Sequence, residues 1–212
     1  MAHPDQLQPV YRNPKPILLV FEVSEDPARR RTDAAFLRQV LTSIKRFPSY
    51  GSNFFPRIFL YPFGPGCDPT PQTASDPEDI RPEAMTGRET RSLEQALMTL
   101  NQALSRNGAL KLPGFHTPAV LLFCRCAPDE NARKALAELR RNPWFCKSLP
   151  GIICLEGQPD PGLTAGLLGA DPRTAEKHRL LYRLPPEGCT PEEVEYITRC
   201  FFFTGKAILP ER

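Results

Sequence analysis

The chain has 212 residues, of which 41% are hydrophobic and 24% charged, and this is the composition of an ordinary globular domain. At this length we expect one well-buried core rather than two. The net charge of +3 is too small, and the basic residues are too scattered, to indicate a protein that binds nucleic acid.

The sequence indicates neither a membrane span nor a leader peptide. No stretch approaches the ~20 apolar residues that cross a bilayer, and the first ten residues lack the apolar core of a signal peptide. We therefore expect a cytoplasmic protein with no membrane partner. The seven cysteines are an odd number, and only Cys124 and Cys126 form a close pair, which is a poor signature for zinc or for a disulfide framework.

The first part of the chain predicts two strands and a helix. PILLVFEV (16–23) is a continuous apolar run, which is typical of a buried parallel strand. The next helix, with Thr32 or Asp33 as its N-cap, places Leu37 and the residues three, four and seven positions later on one apolar face. RIFLYPF (57–63) predicts the second strand.

The rest of the chain continues this alternation after a proline-rich surface connection, within which we expect a short edge strand in 64–85. The connections between later elements are short. The elements predicted there are a helix from Leu93 to about Gly108, a strand at 119–124, a helix capped by Asp129, a strand at 151–156, a short helix near 160–168, a strand at 179–184 and a helix that begins after Thr190.

Alternating strands and helices predict a three-layer α/β/α fold, doubly wound like a Rossmann fold. We expect a six-stranded, mostly parallel sheet with one short antiparallel edge strand. The expected strand order is 3-2-1-4-5-6, which places the strand 16–23 beside the strand 119–124. We divide the chain into an N-terminal tail, 1–13, and a single domain, 14–212.

The sequence contains none of the usual catalytic signatures. There is no dinucleotide fingerprint, no phosphate-binding P-loop and no nucleophile elbow. The histidines are His3, His116 and His178, and none has an acid or a nucleophile at a suggestive spacing. We therefore expect that the protein has no catalytic residues and is not an enzyme.

Polar residues collect instead at the carboxyl ends of the predicted strands, where open α/β folds bind ligands. Glu22, Ser24 and Asp26 follow the first strand, Thr90 precedes a helix, and Arg125 follows the strand 119–124. Acids and hydroxyls from separate loops are the oxygen ligands of a hard-cation site. The arginine places a permanent positive charge beside such a cation, which argues against metal binding.

These residues resemble a von Willebrand factor A (vWA) domain, and the chain is most similar to the tellurium-resistance, TerY-type branch of bacteria. TPAVLLFCRCAPDENARKALAELRRNPWFCKSLPGIICLEG (117–157) closely parallels that branch. ILLVFEVSED resembles the first strand with its D-x-S-x-S motif, and RETRSLEQAL is similar to the family's G-G-T-x-L-G-x-A-L segment. The resemblance covers about residues 14–205 and implies the vWA fold.

The resemblance also implies a metal-ion-dependent adhesion site that has degenerated. In the family, D-x-S-x-S, a threonine and the aspartate of a T-D-G phrase hold magnesium. The matching positions are Glu22 for the aspartate, Ser24 and Asp26 for the serines, Thr90 for the threonine and Cys124-Arg125-Cys126 for T-D-G. We expect no metal and no cofactor; a magnesium site rebuilt from Ser24, Asp26, Thr90 and Asp129 is the alternative.

TerY-type proteins are encoded beside protein kinases and type 2C phosphatases in stress-response modules. The resemblance therefore implies a scaffold or adaptor that binds such a protein, and we expect its binding surface at 24–30, 85–91 and 125–130. Two alternatives are a magnesium-dependent binding module and an enzyme with Cys124 or Cys126 as a thiolate beside Arg125. We expect Arg125 to replace the lost cation by pairing with Glu22 or Asp26.

Overall fold

The computed structural model describes residues 13–46, 54–111, 114–125, 127–185 and 188–203. The strands found there are β1 (Asn13–Glu22), β2 (Phe54–Cys67), β3 (Gln72–Ala74), β4 (Thr86–Arg91), β5 (Ala119–Cys124), β6 (Leu149–Cys154) and β7 (Leu181–Arg183). The α-helices are α1 (Pro27–Lys45), α2 (Leu93–Ala103), α3 (Glu130–Arg141), α4 (Pro161–Leu168), α5 (Pro172–Lys177) and α6 (Pro191–Phe203). Two short 3-10 helices, Pro77–Asp79 and Pro82–Met85, precede β4.

The main sheet has the strand order β3-β2-β1-β5-β6-β7, and β4 pairs with β2 off this path. Without β4, this is the order 3-2-1-4-5-6 that the sequence predicts. β1, β2, β5, β6 and β7 run parallel, and β3 is the short antiparallel edge strand. The α/β prediction and the predicted pairing of β1 with β5 are confirmed.

Helices cover both faces of the sheet, because β1 lies between two parallel neighbours and is apolar on both of its faces. Ile17, Leu19 and Phe21 pack in one hydrophobic cluster with α1 and α6. Leu18 and Val20 point to the opposite face and pack in a second cluster with α2, α3 and α4. The result is the three-layer arrangement, with the carboxyl ends of the parallel strands gathered at one edge.

The prediction for the start of α1 is wrong. The helix begins at Pro27, and its N-cap is Asp26 rather than Thr32 or Asp33. The Asp26 carboxylate accepts a hydrogen bond from the Ala28 N–H at 2.8 Å, and proline suits the first helical position because its missing N–H would have no helical partner there. Asp33 consequently lies inside the helix, on its buried face.

β2 is longer than the predicted strand 57–63, and β4 was not predicted as a strand. Beyond the end of β1, the extension of β2 pairs antiparallel with β4, so that Pro65 lies opposite Thr90. The junction is tight: the Val23 N–H donates to the Phe63 carbonyl at 2.7 Å, and Gly64 lies against the Val23 carbonyl with φ +109°. The short helix α5 was also not predicted.

The two edges of the main sheet are short strands of three residues each, β3 and β7. β1 begins at Asn13, one residue before the predicted start of the domain, and residues 1–12 lie outside the described part. No helix in the described part of the chain is long and apolar enough to cross a membrane.

Candidate functional site

Glu22 and Arg125 lie at the carboxyl edge of the sheet because they end or follow neighbouring strands. Phe21 of β1 is in register with Phe123 of β5. The residues that follow these two strands therefore leave the sheet side by side. Glu156 follows β6, the next strand in the sheet. Parallel strands that end together thus bring charged side chains from three elements to one place.

Arg125 is the centre of this group, and its side chain is only 15% exposed. Its guanidinium donates through Nη2 to the Asp33 carboxylate of α1, and its Nε lies 3.6 Å from Glu156 Oε2. The backbone N–H of Arg125 donates to Glu22 Oε2 at 2.5 Å. Arg29 of α1 donates to the same Glu156 oxygen. We call these five residues the Arg125 cluster.

Asp33 comes to this cluster from the buried face of α1, where the residue is 6% exposed. Burial raises the pKa of its carboxyl, because the charged form loses its hydration. The guanidinium of Arg125 acts in the opposite direction on the same pKa, and the effect of burial is larger. Asp33 and Arg125 therefore form a charge pair in which the arginine offsets only part of the cost of burying the ionised carboxylate.

The expected partner of the Arg125 guanidinium needs correcting. We expected Glu22 or Asp26, but the guanidinium contacts Asp33, and Glu22 accepts from the backbone of Arg125 instead. Asp26 caps α1, and one of its oxygens lies 3.7 Å from Nε of Arg29. The physical reason is the earlier start of α1, which turns Asp33 toward the sheet and uses the Asp26 carboxylate at the helix end.

The other expected ligands are engaged in local structure. Ser24 Oγ accepts from the Asp26 N–H at 3.2 Å, and Asp129 caps α3 by accepting from the Ala132 N–H at 2.7 Å. Thr90 is exposed on β4 and lines a different cavity, together with residues of α2. The structure thus brings Glu22 and Arg125 into one cluster, whereas Thr90 contributes to another surface.

The residues at this edge do not fit a divalent cation. A guanidinium occupies the position next to the carboxylates, and those carboxylates already accept hydrogen bonds from it, from its backbone or from Arg29. Within the described ranges, no group of three or more His, Cys, Asp and Glu side chains is placed to hold a metal ion. Calcium and magnesium both require several free oxygen ligands.

The Cys124 thiol, next to Arg125 in the chain, packs in the apolar cluster that contains residues of α2, α3 and α4. Cys124 is in register with Cys154 on β6, and both are less than 5% exposed. Burial raises the pKa of the Cys154 thiol, because a thiolate loses its hydration there. Each of the six cysteines in the described residues is outside a disulfide, and Cys126 lies outside the described residues.

Sequence reasoning missed Asp33, Arg29 and Glu156 as members of the cluster. The available signal was the pair Asp26-Pro27, an N-cap followed by proline at the first helical position. A helix that begins there puts Asp33 four residues before Leu37, on the same buried face. A polar residue on a buried face needs a buried partner, and an arginine at the adjacent strand end is a suitable one.

No protein-family model matches the chain, and no curated protein matches it in sequence. Its fold is similar to the BatB protein of Bacteroides thetaiotaomicron, with TM-score 0.54, 11% identity and coverage of 91% of this chain and 100% of that one. The Rpn10 VWA domain has TM-score 0.52 and 14% identity, with 92% and 98% of the two chains covered.

The proximal thread matrix protein 1 of the mussel byssus is also similar, with TM-score 0.53 and 12% identity; the match covers 88% of this chain and 46% of the mussel protein, about half its length. At such identities the similarity concerns the fold alone. The chain has a vWA-like fold, a central sheet of mostly parallel strands between helices, and this is the fold that the resemblance implied.

Proposed function

We propose that this chain is a non-catalytic protein-binding domain, a scaffold or adaptor whose binding edge is held together by Arg125 instead of a metal ion. The observation that carries the proposal is the Arg125 cluster. It occupies the edge at which open α/β sheets bind ligands, and there Arg125 links α1 and the segment after β6 through its guanidinium and β1 through its backbone N–H.

The finer identity follows from the sequence resemblance. We place the chain in the TerY-type branch, with the adhesion site degenerate, and we propose that it serves a bacterial stress-response or signalling module. Its partner is then a protein kinase or a type 2C phosphatase. The vWA-like fold is compatible with this role but is also compatible with others, so the proposal depends on the residues of the edge. The cytoplasmic location and the cysteine-dependent alternative stay predictions.

The proposed binding surface combines the start of α1 with β4 and the loop before α3. The Arg29 side chain is 52% exposed although it contacts Glu156, and Arg88 is exposed on β4. Loops and helix starts at this edge can vary while the sheet keeps its geometry. Charged residues on the rim of an interface mainly affect the rate of association and the choice of partner.

The test measures binding of the purified chain to a protein kinase and to a type 2C phosphatase encoded next to its gene. We expect one of them to bind and the variant Arg29→Glu/Arg88→Glu to bind at least about tenfold more weakly, because two positive rim charges become negative. The control variant Arg141→Glu/Lys147→Glu makes the same change in net charge at the opposite edge, where α3 ends and β6 has not yet begun.

Circular dichroism and thermal unfolding verify that each variant is folded. Equal binding by the wild type and the Arg29→Glu/Arg88→Glu variant would move the interface away from this edge. Failure of both candidate partners to bind the wild-type chain would contradict the proposed role in a kinase or phosphatase module.

A further inference from the structure

A cavity of about 450 Å³ lies next to the Arg125 cluster, between α1 and the short helix Pro82–Met85. Sites for small ligands and for single side chains of partners fall in this range of size. We call it the α1 cavity. Its walls combine the end of β1, one face of α1 and the segment that leads into β4.

The floor of the α1 cavity is apolar. Phe21 and Val23 contribute the end of β1, Ala34 contributes the face of α1, and Pro82 and Met85 close the opposite side. All five of these residues are buried. A concave apolar floor with a few polar groups around it is the usual form of a site that receives an apolar group from a ligand.

The rim of the cavity carries an excess of positive charge. Arg30 and Arg31 lie next to each other near the start of α1, and Arg38 lies about two turns further along the helix. Glu83 pairs with Arg38 and neutralises it. Arg30 donates to the Glu25 carbonyl at 2.7 Å, which adds no negative charge. In the part of the chain that the structure describes, neither Arg30 nor Arg31 forms an ion pair with a carboxylate.

Two buried polar atoms of the lining have no hydrogen-bond partner among the described residues. They are Oδ2 of Asp33, in a residue that is only 6% exposed, and Nε of Arg30. Buried polar atoms without partners are costly and require an explanation. The two residues are three positions apart on α1, so they are neighbours on its surface. Both atoms are nearly closed to solvent, so they mark an incompletely paired wall of the cavity rather than groups that a ligand touches directly.

We propose that the α1 cavity binds a short segment of a partner protein in which an acidic residue stands next to a large apolar one. The apolar side chain fills the floor beside Val23 and Met85, and the acidic side chain pairs with Arg31. This inference rests on the proposed protein-binding function and specifies the chemistry of the partner.

The test begins with selection of phage-displayed random heptapeptides on the immobilised wild-type chain. The enriched peptides are synthesised and used as probes. The chain has three methionines; Met85 lines the cavity, whereas Met98 is 51% exposed and lines a different cavity. Methyl resonances of labelled methionine therefore report where a peptide binds, with Met98 as an internal control.

We expect the enriched peptides to combine an acidic with a large apolar residue, and to shift the Met85 methyl signal but not that of Met98. Arg31→Glu should weaken binding at least about tenfold, because a charge-assisted contact becomes repulsive. Arg141→Glu, an equal change of charge on an exposed part of α3, should leave the affinity unchanged.

Absence of such peptides after selection, a shift at Met98 without one at Met85, or equal affinity for Arg31→Glu would each overturn the proposal. The outcome is separate from that of the proposed function, since Arg31 is not among the residues changed there. If the kinase or phosphatase binds and no peptide does, the cavity inference fails alone. If peptides bind in the cavity and neither full-length protein does, the proposed module is the part that fails.

Discussion

Arg125 and Asp33 carry opposite charges into a place where water barely reaches them. Burial raises the pKa of the Asp33 carboxyl in spite of the arginine beside it. Since its pKa in the folded protein lies above the unfolded value, the carboxyl contributes stability while it is protonated, and that contribution is lost as pH rises through the folded pKa. At neutral pH the pair therefore connects α1 to the end of β5 without adding net stability.

The contributions of Arg125 and Asp33 to the free energy of unfolding should therefore be strongly coupled. Arg125→Met and Asp33→Leu should each lower the free energy of unfolding by about 3 kcal/mol, because each leaves a buried charge without its partner. The double variant should lie within about 1 kcal/mol of the wild type, since apolar side chains can replace a buried pair at little cost. Urea denaturation at neutral pH measures the free energy of unfolding of the two single variants and of the double variant.

Arg29→Met is the matched control for this experiment. Its ion pair with Glu156 is about half exposed on both sides, so the loss should be under about 1 kcal/mol. Additive effects of Arg125→Met and Asp33→Leu would mean that the two residues act independently, and the account of the cluster would be wrong.

The buried Lys15 should make the stability of the protein depend on pH between pH 7 and pH 9. The residue is 5% exposed, and burial lowers the pKa of its ammonium group to about 8. An ordinary lysine in the unfolded chain still holds its proton at that pH. Between the folded and the unfolded pKa the unfolded state thus binds more protons, so stability rises with pH in this window. The wild type should gain about 1.3 kcal/mol between pH 7 and pH 9 from this group.

The difference in stability between the wild type and Lys15→Met isolates the effect of this lysine from that of the thiols and tyrosines. Lys15→Met should be the more stable protein at pH 7, and its advantage should shrink by about 1.3 kcal/mol at pH 9. The variant also loses the Lys15 hydrogen bond to the Thr117 carbonyl, and any change of that bond with the protonation of Lys15 is already contained in the folded pKa. A difference that does not change with pH would contradict the prediction.

The sequence predicted Glu22 and Arg125 as edge residues because both follow apolar runs whose ends can be read directly. It did not predict Asp33 as their partner. An acidic residue near the start of a helix can be either the N-cap or a buried charge inside the helix. Only the position of the first helical turn decides between them. We predicted Thr32 or Asp33 as the N-cap, but the helix begins at Pro27 with Asp26 as its N-cap, and Asp33 therefore lies inside the helix.

Among the elements, the junction between β1 and β2 combines a positive φ with a close backbone approach. Gly64 has φ +109°, and a Cβ atom added there would lie 2.5 Å from the Val23 carbonyl oxygen. Both the conformation and the space therefore exclude a larger residue. The Val23 N–H that bonds to Phe63 depends on this close approach, and Val23 also contributes to the α1 cavity.

Gly64→Ala should lower the free energy of unfolding by about 3 kcal/mol, through strain at positive φ and displacement of the Val23 backbone. Gly157→Ala is the matched control. Its φ of +72° is also positive, but a Cβ there would have no neighbour within 4 Å, so it should cost about 1 kcal/mol from strain alone. Thermal unfolding compares the two, and equal losses would show that the close approach to Val23 has no energetic role.

β4 is an element that no sequence pattern could have indicated. Its residues, TGRETR, include no large apolar side chain, and five of the six are exposed. The strand exists because the extension of β2 offers unpaired backbone groups opposite it. A strand that is specified by backbone pairing alone lacks the alternation of apolar and polar residues on which strand prediction depends.

For the whole molecule, the strand order was predictable because each buried strand is a continuous apolar run and each crossover must be right-handed. Applied to the doubly wound order 3-2-1-4-5-6, these two rules place β1 between β2 and β5. They say nothing about the chemistry of the edge, which depends on individual contacts such as that of Arg125 with Asp33. The alternative of a magnesium-dependent module is therefore tested on the intact chain.

Calorimetric titration of the purified chain with magnesium or manganese at millimolar concentration should give no stoichiometric binding isotherm. The physical reason is the guanidinium beside the carboxylates, which would repel the cation. The variant Glu22→Asp/Arg125→Asp restores the acids of the family pattern and should bind more metal than the wild type. A clear binding isotherm for the wild type would revive the rebuilt magnesium site of Ser24, Asp26, Thr90 and Asp129.

The short strands β3 and β7, three residues each, also affect how the molecule behaves when it is crowded. An edge strand exposes a row of unpaired backbone groups, and a long flat row acts as a template for strands of other molecules. Here each row ends after three residues, and at β7 the side chain of Arg183 is tied to Glu176 and Gln158 beside the strand. The two edges formed by β3 and β7 therefore offer only a short template for strands of other molecules at high concentration.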